Sequence, residues 1–245
     1  MTAGPSPLPR LLIAIPAYNE AATIEDVVQR VRAAMPQHGL LIIDDGSRDG
    51  TADILRRVDV MTATHLCNLG YGRAVQTAIK FAAANGYDAL MTLDADGQHH
   101  PEQLPLLYRE SLRMGWDVLI GSRYVGTQNY SASPLGRRLG MKLFSAMVKL
   151  STGHRIYDTT SGLKIISRPA FDCLMRWHFV DFHAEAIVYL LRLGYHVGEF
   201  PITVFERQHG QSMYSALSHL KYPATTSIMV LLGVVEANLT GRKRP

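Results

Sequence analysis

The chain has 245 residues, of which 47% are apolar, and a formal net charge of +4. This length and apolar content suit one large α/β domain or two small ones. The mild positive charge does not indicate nucleic acid, which we do not expect as a partner, but it suits phosphates, nucleotides or an acidic membrane surface. The two cysteines, Cys67 and Cys173, make no disulfide framework, and we expect buried thiols in a reducing, cytoplasmic compartment. With no secretory signal and no apolar run of about 20 residues, the chain is predicted to be soluble or peripheral to a membrane.

The first half of the chain alternates short apolar runs with helical patterns. The predicted strands are residues 11–15, 40–43, 61–66, 89–93 and 117–120. The predicted helices are residues 21–35, a short helix containing Ile54 and Leu55, a helix that ends near residue 84, and residues 101–114. This alternation is typical of a mostly parallel, twisted sheet with helices on both faces, so we predict an α/β fold.

The second half is less regular. We predict a loop over 123–133, a helix over 135–150, a strand over 162–166, a helix over 184–193, and a strand pair or one bent strand over 195–205. No linker or internal repeat is visible, so we predict one domain over residues 11–240. Its nucleotide-binding half would be 11–125 and its acceptor-side half 126–240. Residues 1–10 are predicted to be a flexible tail and 241–245 a basic tail.

Two carboxylates follow the apolar run 89–93, with one small residue between them. Asp94 and Asp96 can share one face of an extended segment, and the carbonyl group of Gln98 could join them. Open α/β sheets bind ligands at the carboxyl ends of their strands, where this run would deliver both groups. A hard divalent cation suits oxygen ligands and could hold a diphosphate there, although a solvated acidic turn is the alternative.

Polar residues also follow three other predicted strands. They are residues 16–20, 44–47 and 121–123. In a parallel sheet all these ends lie on one edge, which indicates a site. Asp44 and Asp45 could accept hydrogen bonds from a base or ribose, or could instead cap a helix and form a turn. Glu20 could contact ribose or favour a helix start, and Tyr18 could stack on a base or pack in the fold.

Four segments of the first half resemble, in order and spacing, the signature series of family 2 glycosyltransferases with the GT-A fold. They are residues 15–20 (IPAYNE), 44–51 (DDGSRDGT), 68–72 (NLGYG) and 93–99 (LDADGQH). Within that family, three later segments are similar to motifs of polyprenyl-phosphate (dolichyl-phosphate) mannose or glucose synthases. They are residues 121–124 (GSRY), 158–164 (DTTSGLK) and 207–212 (RQHGQS). One departure is Met213, which stands where those synthases commonly carry Lys.

The resemblance implies a three-layer GT-A sandwich and transfer of a hexose, with inversion, from UDP- or GDP-hexose to a lipid phosphate. It implies Mg2+ or Mn2+ as cofactor, held by Asp94, Asp96 and Gln98. The residues that would meet the nucleotide sugar are Pro16, Tyr18, Glu20, Asp44, Asp45, Asp94, Ala95, Asp96 and Arg123. Arg123, Arg207 and Ser212 would handle phosphates, with Arg137 as a further candidate for the acceptor phosphate.

The catalytic candidates are Asp158, Asp96 and Arg207. A bound cation near Asp96 would neutralise the leaving diphosphate, and a guanidinium group makes paired hydrogen bonds to phosphate. A phosphate acceptor is already an anion, but an alcohol acceptor needs a carboxylate to take its proton. Asp158 is the first candidate for that role, followed by Asp181 and Glu185, and a purely structural role for Asp158 is the alternative.

Two segments predict peripheral contact with the cytoplasmic membrane face. The helix 135–150 is amphipathic and basic, and the segment 222–239 is apolar and precedes Arg242-Lys243-Arg244. The alternatives are core packing or a homodimer interface through residues 228–235.

Three functional hypotheses remain. They are a glycosyltransferase with a lipid-phosphate acceptor, the same donor chemistry with a saccharide or soluble acceptor, and a non-catalytic nucleotide-sugar-binding protein.

Overall fold

The structure, a computed structural model, describes residues 9–125, 135–177, 182–204 and 218–240. Within these ranges, residues 135–139 and 218–224 are described by their backbone alone. The predicted tail 241–245 and most of the predicted tail 1–10 lie outside the described residues. At the end of that segment, the Arg10 backbone N–H donates to Asp88 Oδ2 over 2.8 Å. The boundaries of the predicted tails stay predictions.

Seven strands form one sheet. They are β1 (Leu11–Ala17), β2 (Gly39–Asp44), β3 (Met61–Thr64), β4 (Ala89–Thr92), β5 (Val118–Ser122), β6 (Lys164–Ser167) and β7 (Val197–Pro201). Their order across the sheet is β3-β2-β1-β4-β6-β5-β7. Every neighbouring pair is parallel except the two that involve β6, which runs antiparallel to β4 and β5. The predicted α/β class with a mostly parallel sheet is therefore confirmed.

Eight α-helices complete the described fold. They are α1 (Ile24–Ala34), α2 (Thr51–Arg57), α3 (Tyr71–Ala84), α4 (Leu104–Met114), α5 (Leu135–Thr152), α6 (Arg168–Met175), α7 (Ala184–Arg192) and α8 (Ser218–Thr240). A single turn of 3-10 helix, Pro101–Gln103, precedes α4. The sequence did not predict α6, which follows β6 directly and starts with a proline in its first turn.

The sheet lies between two helical layers. One face packs against α1, α2 and α4 through an apolar core that includes Ile24, Leu55 and Leu107. The other face lies against an apolar core built by α3, α5, α6 and α7, with residues such as Phe171 and Ile187, and α8 packs on α7 and α5. A strand covered on both faces has no polar side, which explains why β1 is a continuous apolar run. This three-layer arrangement is the predicted sandwich.

Both halves of the chain contribute strands to this sheet, because β6 lies between β4 and β5 and β7 pairs with β5. The predicted division at residue 125 stays a prediction. Within the predicted segment 195–205, the described residues 195–204 form one strand, β7, followed by an isolated antiparallel bridge between Val204 and His99. The expectation of buried thiols is wrong for Cys67, which is exposed, while Cys173 is partly buried.

None of the helices within the described ranges is long and apolar enough to cross a membrane.

Candidate active site

The carboxyl ends of β1, β2, β4 and β5 lie at one edge of the sheet. Because β6 is antiparallel to its neighbours, its first residue, Lys164, lies at this same edge. The loop that leads into β6 therefore meets the loops that follow the parallel strands. Ligands bind at this edge in open α/β sheets, and the polar segments singled out in the sequence meet here.

The loops after β1 and β2 are joined by hydrogen bonds. The Asn19 N–H donates to Ser47 Oγ over 3.0 Å, and Asn19 Oδ1 accepts the Arg48 N–H over 2.8 Å. The Glu20 N–H donates to Thr51 Oγ1 over 2.9 Å. Asn19 has a positive φ of 56°, a conformation that asparagine tolerates better than most residues. Pro16, Tyr18 and Glu20 are partly exposed on the resulting rim.

Asp44 and Asp45 are buried, and the hydrogen bonds they accept come from the protein itself. Asp44 Oδ1 accepts the Ser47 N–H over 2.9 Å, which closes the turn after β2. Asp45 Oδ1 accepts the Leu69 N–H over 2.9 Å, and Asp45 Oδ2 accepts the Gly70 N–H over 2.8 Å. The carboxylate of Asp45 therefore anchors the loop that leads into α3.

His65 completes the environment of Asp45. Its Nδ1 lies 2.6 Å from Asp45 Oδ1 and its Nε2 lies 2.8 Å from Thr77 Oγ1 on α3. The same loop also packs closely on Gly46, where a Cβ atom would come within 2.6 Å of the Cys67 backbone. The turn after β2 and the loop 65–70 thus form one fixed unit beside the rim.

The segment 94–98 is a tight turn at the end of β4. Asp96 Oδ1 accepts the Gln98 N–H over 3.1 Å, and Gly97 has a φ of 73°. Thr23 Oγ1 bridges this turn to the loop after β1, because it lies 2.8 Å from the carbonyl oxygen of Ala95 and 2.9 Å from Glu20 Oε2. Glu20 is thereby brought next to the carboxylate turn.

The Asp94 carboxylate lies directly against the backbone of Gly162. A Cβ atom at position 162 would overlap both carboxylate oxygens of Asp94, so this approach requires glycine. The buried Thr92 hydroxyl donates to the carbonyl oxygen of Gly162 over 2.7 Å, which holds the turn before β6 on β4. On another side, Asp94 Oδ2 lies 3.5 Å from Nε2 of His99.

Asp94 stays ionised in this setting. Burial raises the pKa of Asp94, but the hydrogen bond and electrostatic interaction with His99 and the positive charges of Lys164 and Arg123 outweigh it, so the pKa falls below its usual value. The Asp94 side chain is 36% exposed, so a ligand at the rim can reach the carboxylate.

Arg123 and Asp158 form a two-pronged ion pair. Nε of Arg123 donates to Asp158 Oδ2 over 2.7 Å, and Nη2 donates to Asp158 Oδ1 over 2.8 Å. The Arg123 backbone N–H also donates to Asp158 Oδ2 over 3.0 Å. Glu199 on β7 fixes this arrangement by accepting the backbone N–H groups of Tyr157 and Asp158, each over 2.8 Å.

The ion pair keeps both partners charged. Burial raises the pKa of Asp158, but the charge and hydrogen bonds of Arg123 more than reverse this, so the pKa lies below its usual range. Burial raises the pKa of Glu199 more than its two backbone hydrogen bonds lower it. A fully buried carboxylate with a low pKa and a bound guanidinium group is a poor proton acceptor, so the geometry favours a positioning role for Asp158.

The chain matches the profile of the family described as "Glycosyl transferase family 2" over residues 12–175. This chain belongs to glycosyl transferase family 2. The match runs from β1 to the end of α6, and so includes the rim, the carboxylate turn and the Arg123–Asp158 pair. The predicted enzyme class, a glycosyltransferase, is confirmed.

Two relatives of this glycosyltransferase have names that refer to polyprenol or undecaprenyl phosphate. A polyprenol monophosphomannose synthase of Mycolicibacterium smegmatis is 34% identical over 222 residues, which cover 85% of this chain and 82% of that protein. An undecaprenyl-phosphate mannosyltransferase of Micrococcus luteus is 31% identical over 215 residues, which cover 84% of this chain and 88% of that protein.

The fold is also that of a solved glycosyltransferase. The crystal structure of glucosyl-3-phosphoglycerate synthase from Mycobacterium tuberculosis, in complex with Mn2+, UDP-glucose and phosphoglyceric acid, matches with a TM-score of 0.64 at 18% identity. The match covers 94% of this chain and 79% of that chain. The predicted GT-A fold is thereby confirmed.

The glycosyltransferase fold brings most of the predicted site residues to one edge. The loops at this edge carry Pro16, Tyr18, Glu20, Asp44, Asp45, Asp94, Ala95, Asp96, Gln98, Arg123 and Asp158. Arg207 and Ser212 lie outside the described residues, as does Asp181, and Arg137 lies in the part of α5 described by its backbone alone. The role of each of these residues stays a prediction.

Sequence reasoning assigned no role to two buried groups beside the site, Lys164 and the neutral His183, although His183 was a possible metal or phosphate partner. Lys164 Nζ donates to the carbonyl oxygen of Ser161 and lies 5.2 Å from the ring centre of Phe182. Burial lowers the pKa of Lys164 to about 8, although Asp94, Asp158 and Glu185 counteract it. Burial and the charge of Lys164 lower the pKa of His183 to about 3. A lysine inside the apolar strand pattern 163–166 was the signal that could have revealed this cluster.

Proposed function

We propose that this chain is a metal-dependent, inverting glycosyltransferase that moves a hexose from UDP- or GDP-hexose to a polyprenyl phosphate. The observation that carries the proposal is the position of Asp94, which is ionised and partly exposed at the sheet edge beside the Arg123–Asp158 pair. This edge offers carboxylate oxygens for a cation next to a guanidinium group for a phosphate. Relatives named for transfer to polyprenol or undecaprenyl phosphate support the acceptor class.

The donor atoms at this edge fit a hard divalent cation, Mg2+ or Mn2+. Asp94, Asp96 and Gln98 supply oxygen atoms, and Gly162 leaves the space in which the Asp94 carboxylate lies. Among the described residues, no group of three or more His, Cys, Asp or Glu side chains is suited to hold a metal alone. Held by these residues, a cation would supply positive charge beside the leaving diphosphate.

The nucleoside would lie along the rim formed by the loops after β1 and β2. Pro16, Tyr18 and Glu20 are partly exposed there and would meet the base and ribose. We propose that Asp45 acts on the donor indirectly, by holding the loop 65–70 in place, since its two oxygens accept the Leu69 and Gly70 N–H groups. Asp44, with one oxygen engaged by Ser47, would turn the other toward the nucleoside.

An anionic acceptor suits the residues at the acceptor side better than an alcohol. A phosphate monoester needs no strong base, whereas an alcohol needs a carboxylate that can take a proton. Of the candidates within the described ranges, Asp158 is bound by Arg123 and Glu185 is 1% exposed. The Arg123 guanidinium, with a side chain that is 23% exposed, would orient a phosphate, and Arg137, Arg207 and Ser212 are proposed to assist.

A turnover assay tests this proposal. Radiolabelled UDP- and GDP-hexoses would be offered with undecaprenyl phosphate, a saccharide or phosphoglyceric acid, each with Mg2+, Mn2+ or EDTA. We expect a lipid-linked sugar phosphate of inverted anomeric configuration, and loss of product with EDTA. Transfer to a soluble acceptor alone would replace the proposed acceptor, and donor binding without transfer to any acceptor would contradict an active enzyme.

A matched pair of variants tests the cation site. Asp96→Asn removes one anionic ligand yet retains an oxygen for the Gln98 N–H, and we expect turnover to fall at least about a hundredfold. Asp59→Asn changes an exposed aspartate away from the edge, at a positive φ of 48° that asparagine accepts, and should keep full turnover. Equal activity in the two variants would exclude Asp96 from the proposed site.

A further inference from the structure

Helix α8 is apolar on two opposite sides. One side is buried through Thr226, Val230, Gly233 and Ala237, at the spacing of one helical face. The other side carries five large apolar side chains that are 52–77% exposed: Ile228, Leu231, Leu232, Val235 and Leu239. These residues also follow the helical period, so they form a continuous stripe that no element of the described fold covers.

The neighbouring helix α5 extends this stripe. Met147 Sδ on α5 lies 3.5 Å from Ser227 Oγ on α8, so the two helices lie side by side. Leu143 and Leu150, which flank Met147 by one turn on each side, are exposed on α5. Together, Leu143, Leu150 and the five exposed residues of α8 form what we term the α5–α8 surface. Exposed apolar residues on a protein surface are normally scattered singly, whereas these seven residues form one contiguous patch.

The helices that form this surface are basic in sequence, and two of their lysines are exposed in the described part of α5. Lys142 and Lys149 are exposed on α5, and the sequence of α5 also contains Arg137 and Arg138 but no acidic residue. The sequence of α8 contains Lys221 and a single acidic residue, Glu236, and residues 242–244 are Arg, Lys and Arg. An apolar stripe with basic residues beside it is the pattern that binds in the headgroup layer of an anionic membrane.

We propose that the α5–α8 surface docks this enzyme on an anionic lipid bilayer. The proposal rests on the proposed function, because a polyprenyl phosphate acceptor is itself held in a membrane. A second copy of the chain fits less well, since a two-fold interface through this surface would bring the lysines of one copy near those of the other. An anionic lipid surface instead neutralises them.

The surface is also connected to the acceptor side of the site. Helix α8 packs on α7, and a Cβ atom on Gly233 would lie 3.2 Å from the carbonyl oxygen of Glu185 in the first turn of α7. Glu185 interacts in turn with the buried Lys164 beside Asp94 and Asp158. Docking through α8 therefore places the bilayer one helix away from the acceptor side, which suits a phosphate carried on a lipid.

Vesicle co-sedimentation tests the proposal with the full chain. Vesicles of phosphatidylcholine containing phosphatidylglycerol would be compared with pure phosphatidylcholine at low and high salt. We expect binding to the anionic vesicles that weakens as salt increases. Absence of binding to anionic vesicles at low salt would overturn the proposal.

Two surface variants and one control locate the binding. Leu231→Gln with Val235→Gln removes two exposed apolar side chains, and we expect at least about tenfold weaker vesicle binding. Lys142→Gln with Lys149→Gln should weaken binding to anionic vesicles and reduce its salt dependence. Leu112→Gln with Met114→Gln changes equally exposed residues of α4, on the other side of the sheet, and should bind like the unmodified chain. Melting temperatures check that every variant folds.

The outcomes separate this proposal from the proposed function. The α8 variant should keep its turnover on a short, water-soluble polyprenyl phosphate analogue, because it leaves the site intact. If vesicle binding persists but no lipid phosphate is glycosylated, the proposed acceptor fails and the docking surface stands. If the α8 variant binds vesicles normally yet changes a dimer into a monomer in sedimentation velocity, the surface joins two copies and the docking proposal fails.

Discussion

At the scale of single residues, the site depends on charges that are removed from water but remain paired. Lys164 is completely buried at the start of β6, and its ammonium group interacts electrostatically with Asp94, Asp158 and Glu185. It also donates a hydrogen bond to Ser161, next to the glycine on which Asp94 lies. We infer that Lys164 is a positioning residue, which balances the carboxylates and holds the turn before β6.

Replacing Lys164 with methionine should destabilise the fold. The substitution keeps the length of the side chain but removes the hydrogen bond to the Ser161 carbonyl oxygen, and we expect a loss of about 1–3 kcal/mol in the free energy of unfolding at about pH 10, where Lys164 is mostly neutral in the fold. Lys80→Met, at an exposed position on α3, should change it by less than about 0.5 kcal/mol. Urea denaturation of both variants provides the measurement, and equal stabilities would show that the hydrogen bond to Ser161 contributes nothing.

The pH dependence of this difference has a defined sign. The pKa of Lys164 is about 8 in the folded chain, below the value of about 10.4 for an unfolded lysine, so the unfolded chain binds more protons between these values. The stability of the unmodified chain should therefore rise relative to Lys164→Met as the pH increases from about 8 to about 10.4. Denaturation of the two proteins across this range measures the difference, and a constant difference would contradict the lowered pKa.

Gly162 gives a second prediction at this scale. In Gly162→Ala the new Cβ atom would overlap the Asp94 carboxylate and displace it from the sheet edge. A displacement of about 1 Å at a reacting site can reduce turnover about a hundredfold, which is the expected loss. Gly140→Ala on α5 is the control, because its Cβ atom would meet nothing within 4 Å. Full turnover of Gly162→Ala would mean that the position of Asp94 is unimportant.

At the scale of elements, the site is formed by the loops that follow the strands, and contacts between these loops hold them in place. The turn after β2 and the loop 65–70 are joined by the carboxylate of Asp45, which accepts hydrogen bonds from two backbone groups and contacts His65. The motifs at 44–51 and 68–72 are far apart in the sequence but depend on each other in the fold. Both motifs can be recognised in the sequence, but the sequence does not show that one loop holds the other in place.

Asp45→Asn should loosen this loop without removing a group that touches the donor. Hydrogen bonds to a charged acceptor contribute about 1.5–3 kcal/mol, so we expect the KM for the nucleotide sugar to rise about tenfold to a hundredfold. The value of kcat should change much less, because the carboxylate turn after β4 is untouched. Asp53→Asn, at an exposed position on α2, is the control. A large fall in kcat with an unchanged KM would contradict a positioning role for Asp45.

The sequence predicted the elements of the first half more accurately than those of the second. In the first half each strand is followed by its own helix, and the pattern is local. Strand β6 departs from this local pattern in its pairing, because it lies antiparallel between β4 and β5 although it follows both in the sequence. Its partners are chosen by packing across the whole sheet, so the pattern of residues 162–166 predicts a strand but not its direction.

At the scale of the whole molecule, binding of metal and nucleotide should stabilise the fold by mass action. At a ligand concentration of about 100 times Kd the expected gain is about 2.7 kcal/mol. For a chain of this size, that gain corresponds to a rise in Tm of about 5–10 °C. We expect this rise with Mn2+ plus UDP or GDP, whichever base the enzyme uses, and a much smaller one in Asp96→Asn. No shift with any nucleotide would argue against the proposed donor site.

The sequence alone determined the fold class, the enzyme family and the chain segments that form the sheet edge. These properties follow from local patterns: apolar runs that end in polar motifs, in a fixed order. Only the tertiary structure decided how the side chains are used. It pairs Asp158 with Arg123, assigns Asp45 to the loop 65–70, and buries Lys164 among carboxylates. The reason is that such pairings join residues remote in sequence, and the direction of β6 determines which of them meet.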